Sequence, residues 1–540
     1  MSGRESKSRQ TWASLGLVAI IGVAALIAPS LEEETLTIAV HQGVEGVALK
    51  ATVRDFSTRE HVSVEVFELP YDALYAAEMK ELRLQRPKYD VMMVDDQWLP
   101  ALIGEDDIGV STRIERLDFS SGECDRLNIN DFVASTLQVS LHPGDPKSRP
   151  PSPPGEKPGP FSCRDPFYAL PFVGNSQLFL TRRNLRPATW KEVLDITLQP
   201  TRGMDAGYVA RVGAGNSIVT DFMPILWSSS PGNVSPHQAL ASGESAADDA
   251  LELDQQKTMD AFRFLRKLGA NPRANRGVVS VDDFDLAIYL VQKHASMSIA
   301  WSAWVMAIAK LPPPYNSQLL EPTGQGQAEL EITQVPGGQP ALGAWLLSIP
   351  AKTERKDLAR KFLLFATAKE QIVSAAQRGN PPPRESVLQD PSLNNDYPFF
   401  SEQLDSLSNA RARPRTPHWR DIEQVLGACL SALYENAMTE DDAWERVNEG
   451  LEPIRKKQRA IEAIRAKQKV DETSDSARAK EAARSAIRAV LDEPWGDFSC
   501  VQRQRGLPSV DDDVAGAAVD GQNFRAAPHQ NWGRQGRKNP

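Results

Sequence analysis

Between Thr35 and Val94 the apolar residues switch repeatedly between a period of two and a helical period, and that alternation decides the fold class. Leu36, Ile38 and Val40 alternate within Thr35–Val40, as on a strand. Val44, Val47, Ala48 and Ala51 then recur at helical spacing. Val62, Val64 and Val66 share one face of a second strand, His61–Phe67. Asp72–Leu84 reads as a helix and Tyr89–Val94 as a short apolar strand. The order β-α-β-α-β implies an α/β fold with a parallel sheet covered by helices. Right-handed crossovers bring the loops of one kind to one edge of that sheet. Ligands of such sheets bind at the carboxyl ends of the strands.

The rest of the chain continues this mixture. Phe167–Leu180 is apolar and strand-like, and a helix starts near Thr189 and Trp190. Thr258–Leu268 and Phe284–Lys293 read as helices, and Ser296–Ala300 as a strand. Leu342–Ile349 is a strand, followed by a helix over Lys356–Ala368. Asp421–Asn448 is helical again. Pro143–Pro160 holds 8 Pro in 18 residues, a composition that packs as neither helix nor strand, so it reads as a stiff exposed insertion. After Leu451 the chain becomes highly charged and Ala-rich. Glu452–Asp492 reads as one or two amphipathic helices, with Ile454, Ile461, Ile464, Ala483, Ile487 and Val490 as the apolar stripe. Packing on the main body is the plain reading of that stripe, and a partner helix the other. Beyond Arg503, Gly, Gln, Asp and Pro dominate and disorder is expected.

Arg4, Lys7 and Arg9 precede an uncharged apolar run, Leu15–Ala28, and Glu32, Glu33 and Glu34 follow it. This matches a secretory signal. Counted from Trp12 the run has 17 residues, the lower limit for a spanning helix, so a cleaved signal and an uncleaved membrane anchor both stay open over residues 1–30. Either one exports the rest of the chain. In an oxidising compartment the four cysteines become candidate disulfides. Four cysteines allow three pairings. Cys124 and Cys163 flank the same insertion, which favours Cys124–Cys163 and Cys429–Cys500. None has the spacing of a metal or redox motif. With 61 Lys and Arg against 71 Asp and Glu, the chain carries −10, which argues against a nucleic-acid partner.

Tyr89-Asp-Val-Met-Met-Val-Asp95-Asp96-Gln-Trp98-Leu-Pro100 is the most informative stretch. It sets two carboxylates and an indole just past a strand. Ionised Asp is acceptor-only and suits sugar hydroxyls. The plainer role is capping the next helix, and one Asp for each role is the expected division. His41-Gln42-Gly43-Val44-Glu45-Gly46 follows the first strand and falls on the same edge. It has neither the Lys-Ser/Thr of a P-loop nor GxGxxG spacing, and Gly213–Ser217 is equally weak as a phosphate loop. The chain has 11 Trp against 9 Tyr. Trp301 and Trp304 follow a strand, and Trp345 lies in another. An indole face packs on the C–H face of a sugar ring and its N–H reaches a hydroxyl, whereas a core position is the plainer account of any one of them.

These stretches carry a resemblance. YDVMMVDDQWLP (89–100), YALPFVGNSQL (168–178), AWSAW (300–304), ALGAWLLSIP (341–350) and QRGNPPPRESVL (377–388) occur in the order found in bacterial family 1 extracellular solute-binding proteins. This is the maltose-binding-like class that serves ABC importers, and the chain resembles it from about Leu36 to Leu451. The resemblance implies a two-lobed periplasmic-binding-protein fold of type II, with a hinge crossed near Tyr168–Asn175, Gly337–Gly343 and Arg378–Pro383. One lobe would be 35–168 with 340–377, the other 175–336 with 384–450. A helical extension, 451–500, and a tail, 501–540, would follow. Ligand lies between the lobes, and closure buries it. The resemblance implies Glu45, Asp95 and Asp96 as acceptors on the first lobe. It implies Asn175 beside the hinge, Trp301 or Trp304 as a platform, Gly343 and Trp345 opposite, and Arg384 as donor near the third crossing. Many relatives carry a lipidation Cys after the signal, and this chain has none.

The function implied is the substrate-binding component of a carbohydrate ABC importer. It would be an exported monomer, periplasmic or at the cell surface, that delivers a sugar to membrane permease subunits and needs no cofactor. The alternative is a binding module that reports ligand to a membrane signalling receptor. An enzyme is disfavoured. Asp95 and Asp96 are adjacent and leave the strand end in different directions, so they need not flank one glycosidic bond. No GxSxG or HExxH is present, and His418 sits in a basic Pro-rich segment.

Overall fold

The computed structural model describes residues 35–103, 112–142, 161–182, 184–199, 206–213, 215–228, 253–271, 286, 290, 295–311 and 330–471. The N-terminal apolar run, the Pro-rich insertion, most of Phe284–Lys293, Cys500 and everything after Asp471 lie outside them.

Two sheets organise the molecule. The first holds β1 (Thr35–His41), β2 (Ser63–Leu69), β3 (Val91–Asp95), β4 (Ala169–Val173) and β9 (Trp345–Ser348), in the order β2-β1-β3-β9-β4. β1 runs parallel to β2 and β3. β9 runs antiparallel to both β3 and β4. The sheet is therefore mixed, not purely parallel as the local pattern implies, because β9 enters from far along the chain. The second sheet holds β5 (Gln177–Arg182), β6 (Ala206–Tyr208), β7 (Ala295–Trp301) and β8 (Leu330–Thr333), in the order β6-β7-β5-β8. β3, β4, β5 and β7 are buried along their whole length, as strands covered on both faces should be.

The apolar run Phe167–Leu180 is two strands, not one. Gly174, Asn175 and Ser176 carry the chain from β4 in the first sheet to β5 in the second. Gly174 is required by space, since a Cβ there would lie 2.6 Å from both Pro382 O and Pro383 Cα. Passing segments are hydrogen-bonded to one another between the sheets. Gly343 N donates to Asn175 O at 2.9 Å, and Leu342 N to Arg411 O at 2.9 Å. Isolated bridges join Ser176 to Leu342 and Ala341 to Arg411.

The helices Val44–Glu60, Lys356–Ala366 and Lys369–Ala376 pack together on the first sheet's side, with Phe56 in contact with Phe362 and Phe365. The second core is built by the helices Asn216–Ser228, Gln255–Ala270, Trp419–Tyr434 and Glu440–Asp471. The last is one continuous helix, with Leu451 and Ile454 buried in that core. The first turns of the charged C-terminal region thus pack on the body. Ile461 and Ile464 lie further along the same helix.

Cys124 and Cys163 lie side by side as free thiols, so the favoured pair is adjacent but not bonded. Burial and the neighbouring Cys124 push the Cys163 thiol up to about 12. Cys429 is buried in the second core, and its expected pairing with Cys500 lies outside the described residues. Among the described residues no helix is long and apolar enough to cross a membrane.

Candidate functional site

Three neighbouring strands end at one edge. β1 ends at His41, β2 leads through Leu69 to the helix Tyr71–Glu81, and β3 ends at Asp95. Parallel pairing of β1 with β2 and β3 brings their carboxyl ends together. Glu45, in the first turn after β1, stays 3.5 Å from His41 Nδ1. The His41 ring stacks on Trp345 at 4.6 Å and 18°. Tyr71 and Trp98 meet Trp345 edge-on at 6.0 and 5.6 Å.

Asp95 is the centre of a polar network that joins the two lobes. Its Oδ2 accepts from the Tyr71 hydroxyl at 2.7 Å and from Gln97 Nε2 at 3.2 Å. Its Oδ1 accepts from Arg413 Nη2 at 2.9 Å. Arg413 Nη2 is also 3.5 Å from Asp96 Oδ1. Gln97 Oε1 accepts from Trp419 Nε1 at 2.6 Å. Asn216, at the start of its helix, donates to Glu423 Oε1 at 2.7 Å and to Tyr71 Oη at 3.3 Å. Arg420 holds Glu423 Oε2 at 3.0 Å and also pairs with Asp72. Burial pushes Asp96 up to about 7, with Asp95 adding to the shift and Arg413 opposing it. Burial likewise pushes Glu423 up to about 7 against Arg413 and Arg420. Burial works against the charge of Arg413, but Asp95 and Asp96 outweigh it and hold the guanidinium firmly protonated.

The residues named from sequence fall into three groups. Glu45, Asp95 and Trp345 share the strand-end edge with His41 and Tyr71. Asp96, Asn175, Trp301 and Gly343 meet at the passage between the sheets. Asp96 Oδ2 accepts from Ala344 N at 2.8 Å, and Asp96 N donates to Ala344 O at 3.0 Å. Asn175 Oδ1 accepts from Ser302 Oγ at 2.8 Å and Ala303 N at 3.1 Å, at the start of the helix Ser302–Ala309. A Cβ on Gly343 would lie 2.7 Å from the Trp301 ring, so the indole lies flush against the passing backbone. Trp304 is half-buried against both cores.

Arg384 is placed elsewhere. Its guanidinium donates to Thr367 O, Leu127 O and Asp131 Oδ2, and lies over Phe132 at 3.8 Å. All of these belong to the first lobe, and residue 384 bridges Phe132 rather than the second sheet. The expectation that Arg384 donates into the cleft therefore gives way to a core role. The guanidinium that meets Asp95 and Asp96 is that of Arg413. Tyr71, Gln97, Asn216, Arg413, Trp419, Arg420 and Glu423 are the residues that sequence reasoning left out. One signal for them existed: Arg411, Arg413 and Arg415 recur at every second position, the period of an extended segment with one polar face.

Among the described residues no group of three or more His, Cys, Asp or Glu is placed to hold a metal ion. The site offers acceptors, guanidinium donors and indole faces between two lobes. Residues 51–400 match the family model described as bacterial extracellular solute-binding protein. The chain belongs to that family. Solute-binding proteins are binding proteins, not enzymes, and the extracellular family implies export. A stretch of 102 residues is 34% identical to a probable ABC transporter-binding protein of Deinococcus radiodurans, covering 18% of this chain and 24% of that protein. The chain thus spans about a quarter of the length of that curated relative. Maltose-bound MalE3 of T. maritima superposes with a TM-score of 0.61 at 20% identity, covering 77% of this chain and 98% of that one. A solute-binding protein from Agrobacterium radiobacter in complex with ribitol gives 0.61 at 17% identity, covering 78% and 99%. At these identities the likeness establishes the two-lobed fold.

Proposed function

We propose that this solute-binding protein is the substrate-binding component of a carbohydrate ABC importer. It captures a sugar or polyol between its lobes and delivers it, as a monomer, to permease subunits in the membrane. The observation that carries this reading is the convergence of Asp95, Tyr71 and Trp345 from the first lobe with Asn216, Arg413 and Glu423 from the second. Carboxylates accept from hydroxyls, guanidinium and amide groups donate to them, and indole faces cover C–H surfaces. The maltose and ribitol bound by the two structural relatives are neutral polyhydroxylated molecules, which supports the same ligand class here. In this reading Glu45, Asp95, Trp301, Trp304, Gly343 and Trp345 face the ligand. Asp96 and Asn175 hold the passing backbone and the helix Ser302–Ala309 in place.

The test is a melting-temperature screen of the intact chain against mono-, di- and trisaccharides and polyols. A ligand that binds only the folded state at a hundred times its Kd stabilises by about 2.7 kcal/mol. The expected result is a concentration-dependent rise with at least one sugar or polyol, recovered chemically unchanged. A panel in which none shifts the transition, or in which an oligosaccharide is cleaved, contradicts the reading.

A further inference from the structure

Four side chains of one short stretch cross from the second lobe to the first. Arg413 reaches Asp95 at 2.9 Å and Asp96 at 3.5 Å. Arg415 Nη1 and Nη2 donate to Val139 O and Leu141 O, each at 2.8 Å. Trp419 Nε1 donates to Gln97 Oε1 at 2.6 Å, and Arg420 pairs with Asp72. Arg413, Asp95 and Asp96 are all at least nine-tenths buried. A guanidinium–carboxylate contact is charge-assisted from both sides, a hydroxyl–carboxylate bond from one. Removing one member of a buried pair leaves the other uncompensated, so Asp95 needs another donor wherever Arg413 lets go of it.

We infer that Arg413 is an internal competitor for the ligand and a specificity-determining residue of the cleft. Its guanidinium takes the carboxylate oxygens that the proposed reading gives to ligand hydroxyls, so Arg413 and the ligand compete for the same acceptors. This inference rests on that reading for the identity of the ligand, but not for the clasp of Arg413 on Asp95. A single hydroxyl is too weak a donor to displace a guanidinium from Asp95. Arg413 Nε is buried without an acceptor. The ligand class that fits therefore brings several neighbouring hydroxyls, donating to Asp95 while accepting from Arg413. Any fraction of molecules in which Arg413 holds Asp95 is not competent to bind, so the apparent affinity is lowered by that fraction.

The experiment is hydrogen–deuterium exchange of the full chain without ligand, followed over segments 68–76 and 411–424, with β1 as the internal control for folding. The wild type is expected to exchange slowly in both segments. Arg413→Gln is expected to exchange there at least tenfold faster with β1 unchanged, and to bind the best sugar of the panel at least threefold tighter. Where Arg413→Gln also loses protection in β1, the neutral pair Asp95→Asn with Arg413→Gln supplies the same exchange reading without a lone buried cation or anion at that contact. Fast exchange of both segments in the ligand-free wild type overturns the clasp. So does unchanged exchange in a folded variant. If no sugar binds but Arg413→Gln still opens the cleft, the clasp stands and the ligand reading fails. If sugars bind and exchange is indifferent to Arg413, the clasp fails and the ligand reading stands.

Discussion

Asp95 and Asp96 are neighbours with different work. Successive side chains leave a strand end on opposite sides. One therefore meets Tyr71 of its own lobe and Arg413 of the other, while the other clips the backbone of Ala344. His418 gives the residue scale its clearest prediction. Burial, helped by Lys457, lowers its imidazole to about 4. In the unfolded chain the ordinary value is about 6.5. Between these values the unfolded state binds more protons, so stability falls as pH drops through that window. The shift corresponds to roughly 2 kcal/mol lost between pH 7 and pH 5. Urea unfolding at the two pH values is expected to show His418→Asn losing that much less than the wild type, and equal losses would refute the assignment. Residue-scale legibility was uneven. Asp95 and Trp345 lie at strand ends, which their neighbours make recognisable. Arg384 was misplaced because its guanidinium is satisfied within the first lobe, a fact that depends on Thr367 and Asp131 far away in sequence.

At the scale of elements, the strands that alternate cleanly were legible and the long-range pairings were not. β1, β2 and the helix between them follow from spacing alone. The break of Phe167–Leu180 into two strands does not, because an unbroken apolar run hides a change of sheet. Nor does the antiparallel insertion of β9, since nothing local in Trp345–Ser348 records which strands it joins. Contact between helices brings its own requirement. Gly427 in the helix Trp419–Tyr434 lies against Gly215, where a Cβ would come within 2.4 Å of the Gly215 nitrogen. That backbone leads directly into Asn216, which joins Glu423 and Tyr71. Gly427→Ala is expected to destabilise by about 1–3 kcal/mol, the usual range for overpacking, and to weaken ligand binding as Asn216 shifts. A melting temperature equal to wild type would show that the helices have room there after all.

The two sheets are joined through segments that are bonded to each other. The contact between the two sheets is made by residues distant in sequence, among them Tyr71, Asp95, Asn216 and Arg413. Local pattern carries no record of such long-range contacts, so Asn216 and Arg413 are not legible in it. The arginines in the passage Arg411–Arg415 look like surface charge in a linear reading. Arg413 and Arg415 are instead buried, bonded to Asp95 and to the carbonyls of Val139 and Leu141. The central claim is that this cleft holds a polyhydroxylated ligand against Trp345. Titration calorimetry of the best sugar or polyol from the melting screen, into the wild type and into folded Trp345→Ala, tests it most directly. Affinity is expected to fall more than tenfold, on the order of 1.4 kcal/mol or more. Equal affinity for the two proteins would contradict it.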